Sequence, residues 1–500
     1  MPEGATESRS SVSEQQRPTP WWREMNSHHW WVVFVATLGW LFDGMDQRLF
    51  VLARTPALRD LMPALSDAAL TQYAGYATMI FIFGWATGGL IFGLMGDRWG
   101  RARTMMITIL IYAAFTGLSA LAQTWWDFAL FRFLCGIGIG GEYAAGVALV
   151  AEVVPSRARP YCLGLLQGLG ALGHLAASTI SLFIGPQATI GGIAGWRVLF
   201  LIGILPAFLV VLIRLRLREP EKWVKAREQA HAQSAAGRQD EIHRQMGDIG
   251  EIFRSKVLRY HLIVGMLLGM AGQTGLWGIG YWTPELIRTA TLEQRKTDYL
   301  QRSDTSSPAE VRSFNLDQLA QASAPNREEG RQVAVQWKAE SDKLVGRGTL
   351  LQDIAGMFGI YAFTFFTARV GRRRAFTLSY LLAFGATVLT FGMLRSPTDV
   401  YWMLPLLGFC VASIYGGFAI YFPELFPTRL RSTGVGFCYN VARYITALGP
   451  LTLGNLALLY GGLGYATPLR PAAITLSAIF LVGVITVWFA PETKDKPLPD

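Results

Sequence analysis

The stretch Gly93-Leu94-Met95-Gly96-Asp97-Arg98-Trp99-Gly100-Arg101-Ala102-Arg103 is a short charged segment between two apolar runs, and the chain uses its pattern twice. At Ala368-Arg369-Val370-Gly371-Arg372-Arg373-Arg374 the motif Arg-x-Gly-Arg-x-Arg returns between apolar runs, with Gly371 standing 271 positions after Gly100. A second pair follows in the same order: Glu152-x-x-Pro155-x-Arg157-x-Arg159 with Gly164, and Glu424-x-x-Pro427-x-Arg429-x-Arg431 with Gly436, offset by 272. Two charged loops recurring at nearly one offset are the signature of two related halves.

Composition places those halves in a membrane. Of 500 residues 51% are apolar and only 16% charged, with 16 Trp and 53 Gly, too apolar a balance for a water-soluble domain of this length. A net charge of +10 would suit nucleic acid in a soluble protein, but here the arginines cluster in short loops, where they set orientation and meet anionic headgroups. Membrane lipid, and no nucleic acid, is the expected surface partner. Cys135, Cys162, Cys410 and Cys438 lie in or beside apolar segments without zinc-ligand spacing, so no metal is expected.

Residues 1–29 are polar, contain no signal-peptide core and read as a disordered cytoplasmic tail. Apolar runs follow at about 30–52, 72–95, 104–122, 128–151, 161–183, 196–216, 258–281, 349–370, 376–394, 400–422, 433–458 and 471–490, several of them near the length needed to cross the hydrocarbon. They form a six-helix bundle over 30–216, a charged linker with surface helices over 217–257, a second bundle over 258–490 and a cytoplasmic tail over 491–500. The predicted class is an all-α integral membrane protein with twelve transmembrane helices in two pseudo-symmetric six-helix bundles. Arginines crowd the loops after spans two, four, eight and ten, which puts those loops and both termini inside. The long stretch 289–348 reads as a partly helical insertion on the outer side, or as a lid or partner-binding element.

Some residues sit where a bilayer tolerates them poorly. Asp43 and Asp46 share a face of span one and must meet a cavity or a partner; Asp46 either pairs with Arg48 or handles protons. Arg132 and Glu142 lie about 15 Å apart along span four, and Glu142 is either a paired structural acid or a coupling group. In span five Gln167 and His174 share a face, where His174 can relay a proton or sit hydrogen-bonded in the core. Asn440 and Arg443 are again three apart in span eleven. A guanidinium offers forked donors matched to a carboxylate, so Arg443 is the first candidate for an anion; a pair with Asp43 or Glu142 is the alternative. Trp277, Tyr281 and Tyr415 can line the same cavity or simply pack.

With these motifs the chain resembles the major facilitator superfamily over essentially its full length, apart from the tail and the insertion. The 93–103 loop matches that superfamily's loop signature, while Glu152 through Arg159, Pro423 through Arg429 and Pro491-Glu492-Thr493-Lys494 resemble the sugar porter and metabolite branch. Asp43-Gly44-Met45-Asp46 resembles the Asp-Gly-x-Asp of aromatic-acid:proton symporters, and Arg132 through Glu142-Tyr143 resembles metabolite:proton symporters. The resemblance implies conformational gating by Asp97, Arg98, Arg101, Glu152, Arg157, Arg369, Arg372, Glu424 and Arg429. Two positions depart from the pattern: Cys135 stands where many members have Gln, and Ala368 stands where Asp97 stands in the first half.

The expected function is therefore secondary active transport and not enzymatic catalysis, since no nucleophile–base arrangement is visible. The resemblance implies a proton-coupled symporter that takes up a small organic anion or related metabolite by alternating access. Arg443, Asn440, Arg132, Gln167, Trp277, Tyr281 and Tyr415 are the candidate substrate-binding residues, and Asp43, Asp46, Glu142 and His174 the candidate proton-coupling ones. No cofactor beyond a proton gradient is expected; the protein is read as a monomer, multi-pass in the plasma (inner) membrane. A sugar or polyol transporter and a transporter-like receptor are the alternatives.

Overall fold

The computed structural model describes residues 20–65, 67–186, 189–208, 218–235, 246–291, 327–465 and 467–499. The first half contains α1 (Ser27–Leu61), α2 (Asp67–Trp99), α3 (Arg101–Ser119), α4 (Trp125–Val153), α5 (Arg159–Leu169) continued by α6 (Ala171–Phe183), and α7 (Gly195–Ile202). A hairpin of β1 (Thr189–Ile190) and β2 (Ile193–Ala194) joins α6 to α7 and holds the only strands among the described residues. Helices α8 (Glu221–Ala235) and α9 (Ile249–Arg254) lead to α10 (Lys256–Gln273), which runs through a π-helical turn at Thr274–Ile279 and a 3-10 turn at Gly280–Trp282. The second half continues with α11 (Arg327–Val370), α12 (Arg372–Met393), α13 (Pro397–Tyr421), α14 (Arg431–Thr446), α15 (Gly449–Gly462), α16 (Leu469–Ser477) and α17 (Ile479–Phe489).

Nine of the described helical runs are long and apolar enough to cross a membrane. The other three predicted spans are those whose sequence is polar or partly undescribed. Helix α1 carries Asp43, Asp46 and Arg48, the α14–α15 run carries Arg443 and is interrupted at 447–448, and the run beginning at α7 continues over 209–216, outside the described residues.

The repeat extends to single hydrogen bonds. Gly100 and Gly371, with φ of 110° and 94°, are the N-caps of α3 and α12, at a backbone conformation that a side chain disfavours. A carboxylate then caps each new helix: Glu219 accepts from the N–H groups of Arg101 (2.7 Å), Ala102 (3.2 Å) and Arg103 (3.1 Å), and Glu492 from those of Arg372 (2.9 Å) and Arg373 (3.1 Å). Burial opposes charge on Glu492, but these backbone donors and the N–H of Lys494 outweigh it and hold the carboxyl below its usual range. Arg101 donates to the Gly96 carbonyl (2.7 Å) and to Glu152 (2.8 Å), as Arg372 does to the Thr367 carbonyl (3.2 Å) and Glu424 (2.8 Å). At the opposite ends of the helices, Thr124 with Asp127 and Ser396 with Asp399 form matching capping boxes for α4 and α13.

The two ends of the described chain lie on the same, arginine-rich face. Trp21 stacks on Tyr161 at 4.8 Å, Glu24 pairs with Arg157 at 2.5 Å, and Arg431 donates to the Pro499 carbonyl at 2.8 Å. One boundary differs from the sequence reading. The predicted eighth span begins near 349, but α11 starts at Arg327 and buries Trp337, Ser341 and Leu344 before it, because its register continues unbroken into the span. The remainder of the predicted insertion over 292–326 lies outside the described residues, as do 1–19 of the tail and 236–245 of the linker.

Candidate functional site

Near the arginine-rich face the two halves touch backbone to backbone. A Cβ on Gly436 of α14 would stand 2.5 Å from the carbonyl of Gly89 on α2, and one on Gly93 would stand 3.0 Å from the Ser432 carbonyl. Across the bundle, Gly168 of α5 faces Tyr361 of α11, its Cβ position 2.9 Å from the ring. Small residues at crossing points let helices approach where lipid offers no hydrophobic drive.

Charges close this side further. Asp97 accepts the N–H of Ser432 (3.1 Å) and of Thr433 (2.8 Å) and the Thr433 hydroxyl (2.6 Å), so a carboxylate of the first half sits at the N-terminus of α14 in the second. Arg101 reaches the Thr428 carbonyl at 2.6 Å, and Arg431 pairs with Glu152 at 2.9 Å. The linker closes beneath: Trp223 donates to the Asp97 carbonyl (2.7 Å), Arg98 to the Met246 carbonyl (3.3 Å), and Arg429 pairs with Glu251. Of the residues assigned to gating, Asp97, Arg101 and Glu152 thus join the halves directly. Arg98 and Arg429 bind the linker, Arg157 binds Glu24, Arg372 and Glu424 pair within the second half, and Arg369 offers its carbonyl to Lys494 at 2.8 Å.

Farther from that face lies a cavity of about 650 Å³, counting the space at its open mouth. Gln47, Arg48, Phe50 and Val51 of α1, Thr78, Phe81, Ile82 and Trp85 of α2, and His174 of α6 line it from the first half; Trp277, Arg443 and Thr446 line it from the second. The buried Arg443 guanidinium lies 3.4 Å from the centroid of Trp85 and 4.7 Å from that of Tyr439. Its charge is held by aromatic faces, one of them contributed by the opposite half. No carboxylate among the described residues pairs with it, and its Nε has no hydrogen bond.

The acids of the first half divide behind this cavity. Asp46 takes the Thr116 hydroxyl (2.5 Å), the Cys135 thiol (3.3 Å) and the Arg132 guanidinium (3.6 Å). Of the two readings of Asp46, the pair with Arg48 is not formed: residues two apart on a helix point to different sides, and Arg48 donates to Ser178 Oγ at 3.1 Å. Arg132 is held in place by Ser119 Oγ (2.7 Å) and the Phe200 ring (4.7 Å) inside the first bundle; it is not among the lining residues but stands behind one of them, 5.7 Å from the Phe50 ring. Glu142 lies against α1 at Gly39, one turn before Asp43, and the oxygens of both buried carboxyl groups have no hydrogen-bond partner among the described residues. Glycine at 39 makes room, since a Cβ there would overlap Glu142 Oε1.

Of the predicted substrate-binding residues, Arg443 and Trp277 line the cavity, and of the predicted coupling residues, His174 does. Asn440 does not: it donates to the Gly436 carbonyl of its own helix at 3.0 Å and packs on Gly89. Gln167 and Tyr415 are buried outside the lining, and the Tyr281 side chain lies outside what the structure describes. Sequence reasoning missed Trp85, Gln47, Thr78 and Thr446. The signal for Trp85 was a large aromatic framed by small residues in Gly84-Trp85-Ala86-Thr87-Gly88-Gly89.

Two helical bundles closed on one side around a cavity with a buried cation that no carboxylate among the described residues pairs define a membrane transport protein. A model of the Major Facilitator Superfamily matches residues 31–293, and the chain belongs to that family. It is a multi-pass membrane transporter and not an enzyme. It is 26% identical to a putative metabolite transport protein of Haemophilus influenzae (95% of this chain, 99% of that one), and 27% identical to the cis,cis-muconate transport protein of Acinetobacter baylyi (95% and 97%). Among solved structures, the proton:xylose symporter XylE bound to 6-bromo-6-deoxy-D-glucose superposes with a TM-score of 0.68 at 17% identity, covering 94% of this chain and 98% of that one. That likeness concerns the fold alone.

Proposed function

We propose that this protein is a proton-coupled symporter that takes up a small organic anion by alternating access across the plasma (inner) membrane, as a monomer with both termini cytoplasmic and no cofactor. The observation that carries the reading is Arg443, buried in the wall of a central cavity with no carboxylate partner among the described residues. A buried cation with no paired carboxylate among the described residues is costly until an anion arrives, and a guanidinium is shaped for a carboxylate. The muconate transporter among its relatives supports an acid substrate. A neutral sugar would leave Arg443 uncompensated, which disfavours the sugar or polyol alternative.

For proton coupling, the Asp43–Glu142 pair is the favoured site. Two acids buried one helical turn apart, with no cation paired to either among the described residues, are most easily held when one carries a proton. Loss of that proton would repel the pair at the wall behind Arg443, linking proton release to the substrate site. The closed arginine-rich face and the open mouth opposite it suit an outward-facing step of the cycle.

Uptake into proteoliposomes, with and without an inward proton gradient, tests the whole reading. Arg443→Ala should abolish uptake of organic acids and Arg443→Lys should weaken it, with about 2–5 kcal/mol lost on stripping a partner from a buried charge pair. Asp43→Asn should retain counterflow but lose gradient-driven accumulation. Undiminished acid uptake by folded Arg443→Ala protein would sink the anion site, and full accumulation by Asp43→Asn would sink its coupling role.

A further inference from the structure

The cavity that holds Arg443 carries a second cation. Arg48, on α1 of the first half, lines the same space; its Nε is held by Ser178 Oγ at 3.1 Å, and no carboxylate among the described residues pairs with its guanidinium. Asp46, the nearest acid on its own helix, is turned away to Arg132. Not one Asp or Glu stands among the lining residues, and the walls are otherwise largely aromatic and aliphatic, with Trp85 and Trp277 facing in from the two halves. Two like charges in one small, mostly apolar space repel each other until negative charge enters, and of the two the buried Arg443 is also poorly solvated, while Arg48 is half-buried.

Resting on the assignment of Arg443 as an anion site, we propose that the substrate is a small dicarboxylate with a flat, apolar body, one carboxylate on Arg443 and the other on Arg48. The two guanidinium groups belong to opposite halves, so a dianion ties the halves together across the cavity. A monoanion leaves one of them unmatched, and the aromatic walls favour a conjugated or aromatic body over a hydroxylated one.

The test uses the full chain in lipid nanodiscs at pH 7, with binding read by calorimetry. Three ligands share one conjugated six-carbon skeleton: hexa-2,4-dienedioate, its monomethyl ester and hexa-2,4-dienoate. The diacid should bind at least about tenfold more tightly than either monoanion, as expected for one added charge-assisted contact. In Arg48→Gln that ratio should fall to about one, and Arg48→Lys should keep part of it, which a merely structural role would not produce. Equal wild-type affinities for the three ligands, no saturable binding of the diacid, or an unchanged ratio in Arg48→Gln would each overturn the proposal. Should Arg48→Gln fail to fold, the wild-type ligand series decides alone. The two readings fail differently. Monoacid binding that survives Arg443→Gln overturns the anion site itself, whereas Arg443-dependent binding with no preference for the diacid overturns only the dicarboxylate assignment.

Discussion

Asp43 and Asp46 occupy one face of α1, yet their neighbours divide them. Asp46 meets a guanidinium, a hydroxyl and a thiol, while neither oxygen of Asp43 has a hydrogen-bond partner among the described residues. This makes the Asp46–Arg132 pair a structural element inside the first bundle. Asp46→Asn should then cost about 3–5 kcal/mol, because it leaves the Arg132 charge buried without its counter-ion, and the double variant Asp46→Asn, Arg132→Met should recover part of that loss. Thermal unfolding of purified protein in detergent measures both, and a double variant no more stable than the single one would contradict the pairing. The spacing of acids along one helix disclosed which side they face but not who waits there. For the same reason Arg443 was legible as an intramembrane cation, whereas the turn of Asn440 back onto Gly436, and the stacking of Trp85 beneath the guanidinium, depend on helices far away in sequence.

Elements were far more legible than partners. The recurrence of Arg-x-Gly-Arg required only that two loops do the same job, and the structure gives both the same glycine turn, the same arginine-to-glutamate pair and the same capping carboxylate. Glu219, the mate of Glu492, escaped notice because a lone glutamate in a charged stretch carries no pattern of its own. The contact between α2 and α14 rests on glycine at 89 and 436. Gly436→Val places its Cβ against a backbone carbonyl that no rotamer change can move, so the variant should fold but pack this contact less well. An overpacking cost of about 1–3 kcal/mol would shift the population toward opening of the arginine-rich face by roughly 5- to 150-fold. Spin labels at Arg103→Cys and Arg374→Cys, both exposed and one per half, report the change as a longer distance; the four native cysteines are buried. An unaltered distance distribution would show that the contact does not set the conformation.

At the scale of the whole molecule the two halves are copies that do not hold each other equally. Asp97 caps α14 through the N–H groups of Ser432 and Thr433, but the repeat-related positions carry Ala368 as acceptor, and Pro160 and Tyr161 as donors. The reciprocal clamp is doubly absent, since alanine has no acceptor and proline has no N–H. Sequence alone exposed the missing aspartate; the missing donor became meaningful only once the partner of Asp97 was known. One carboxylate at one helix end therefore carries this part of the closure. Asp97→Asn removes the negative charge and half of the acceptor capacity at α14, and with charge-assisted hydrogen bonds contributing about 1.5–3 kcal/mol each, the arginine-rich face should open in a substantially larger fraction of molecules. The same pair of spin labels should show a long-distance population growing by at least about tenfold. Ala368→Asp should not produce an equal shift toward closure, because only the Tyr161 N–H stands ready to receive it. If Asp97→Asn leaves the distances unchanged, or if Ala368→Asp closes the face as strongly as Asp97→Asn opens it, then the clamp is not one-sided and the halves are coupled through the Arg101–Glu152–Arg431 cluster instead.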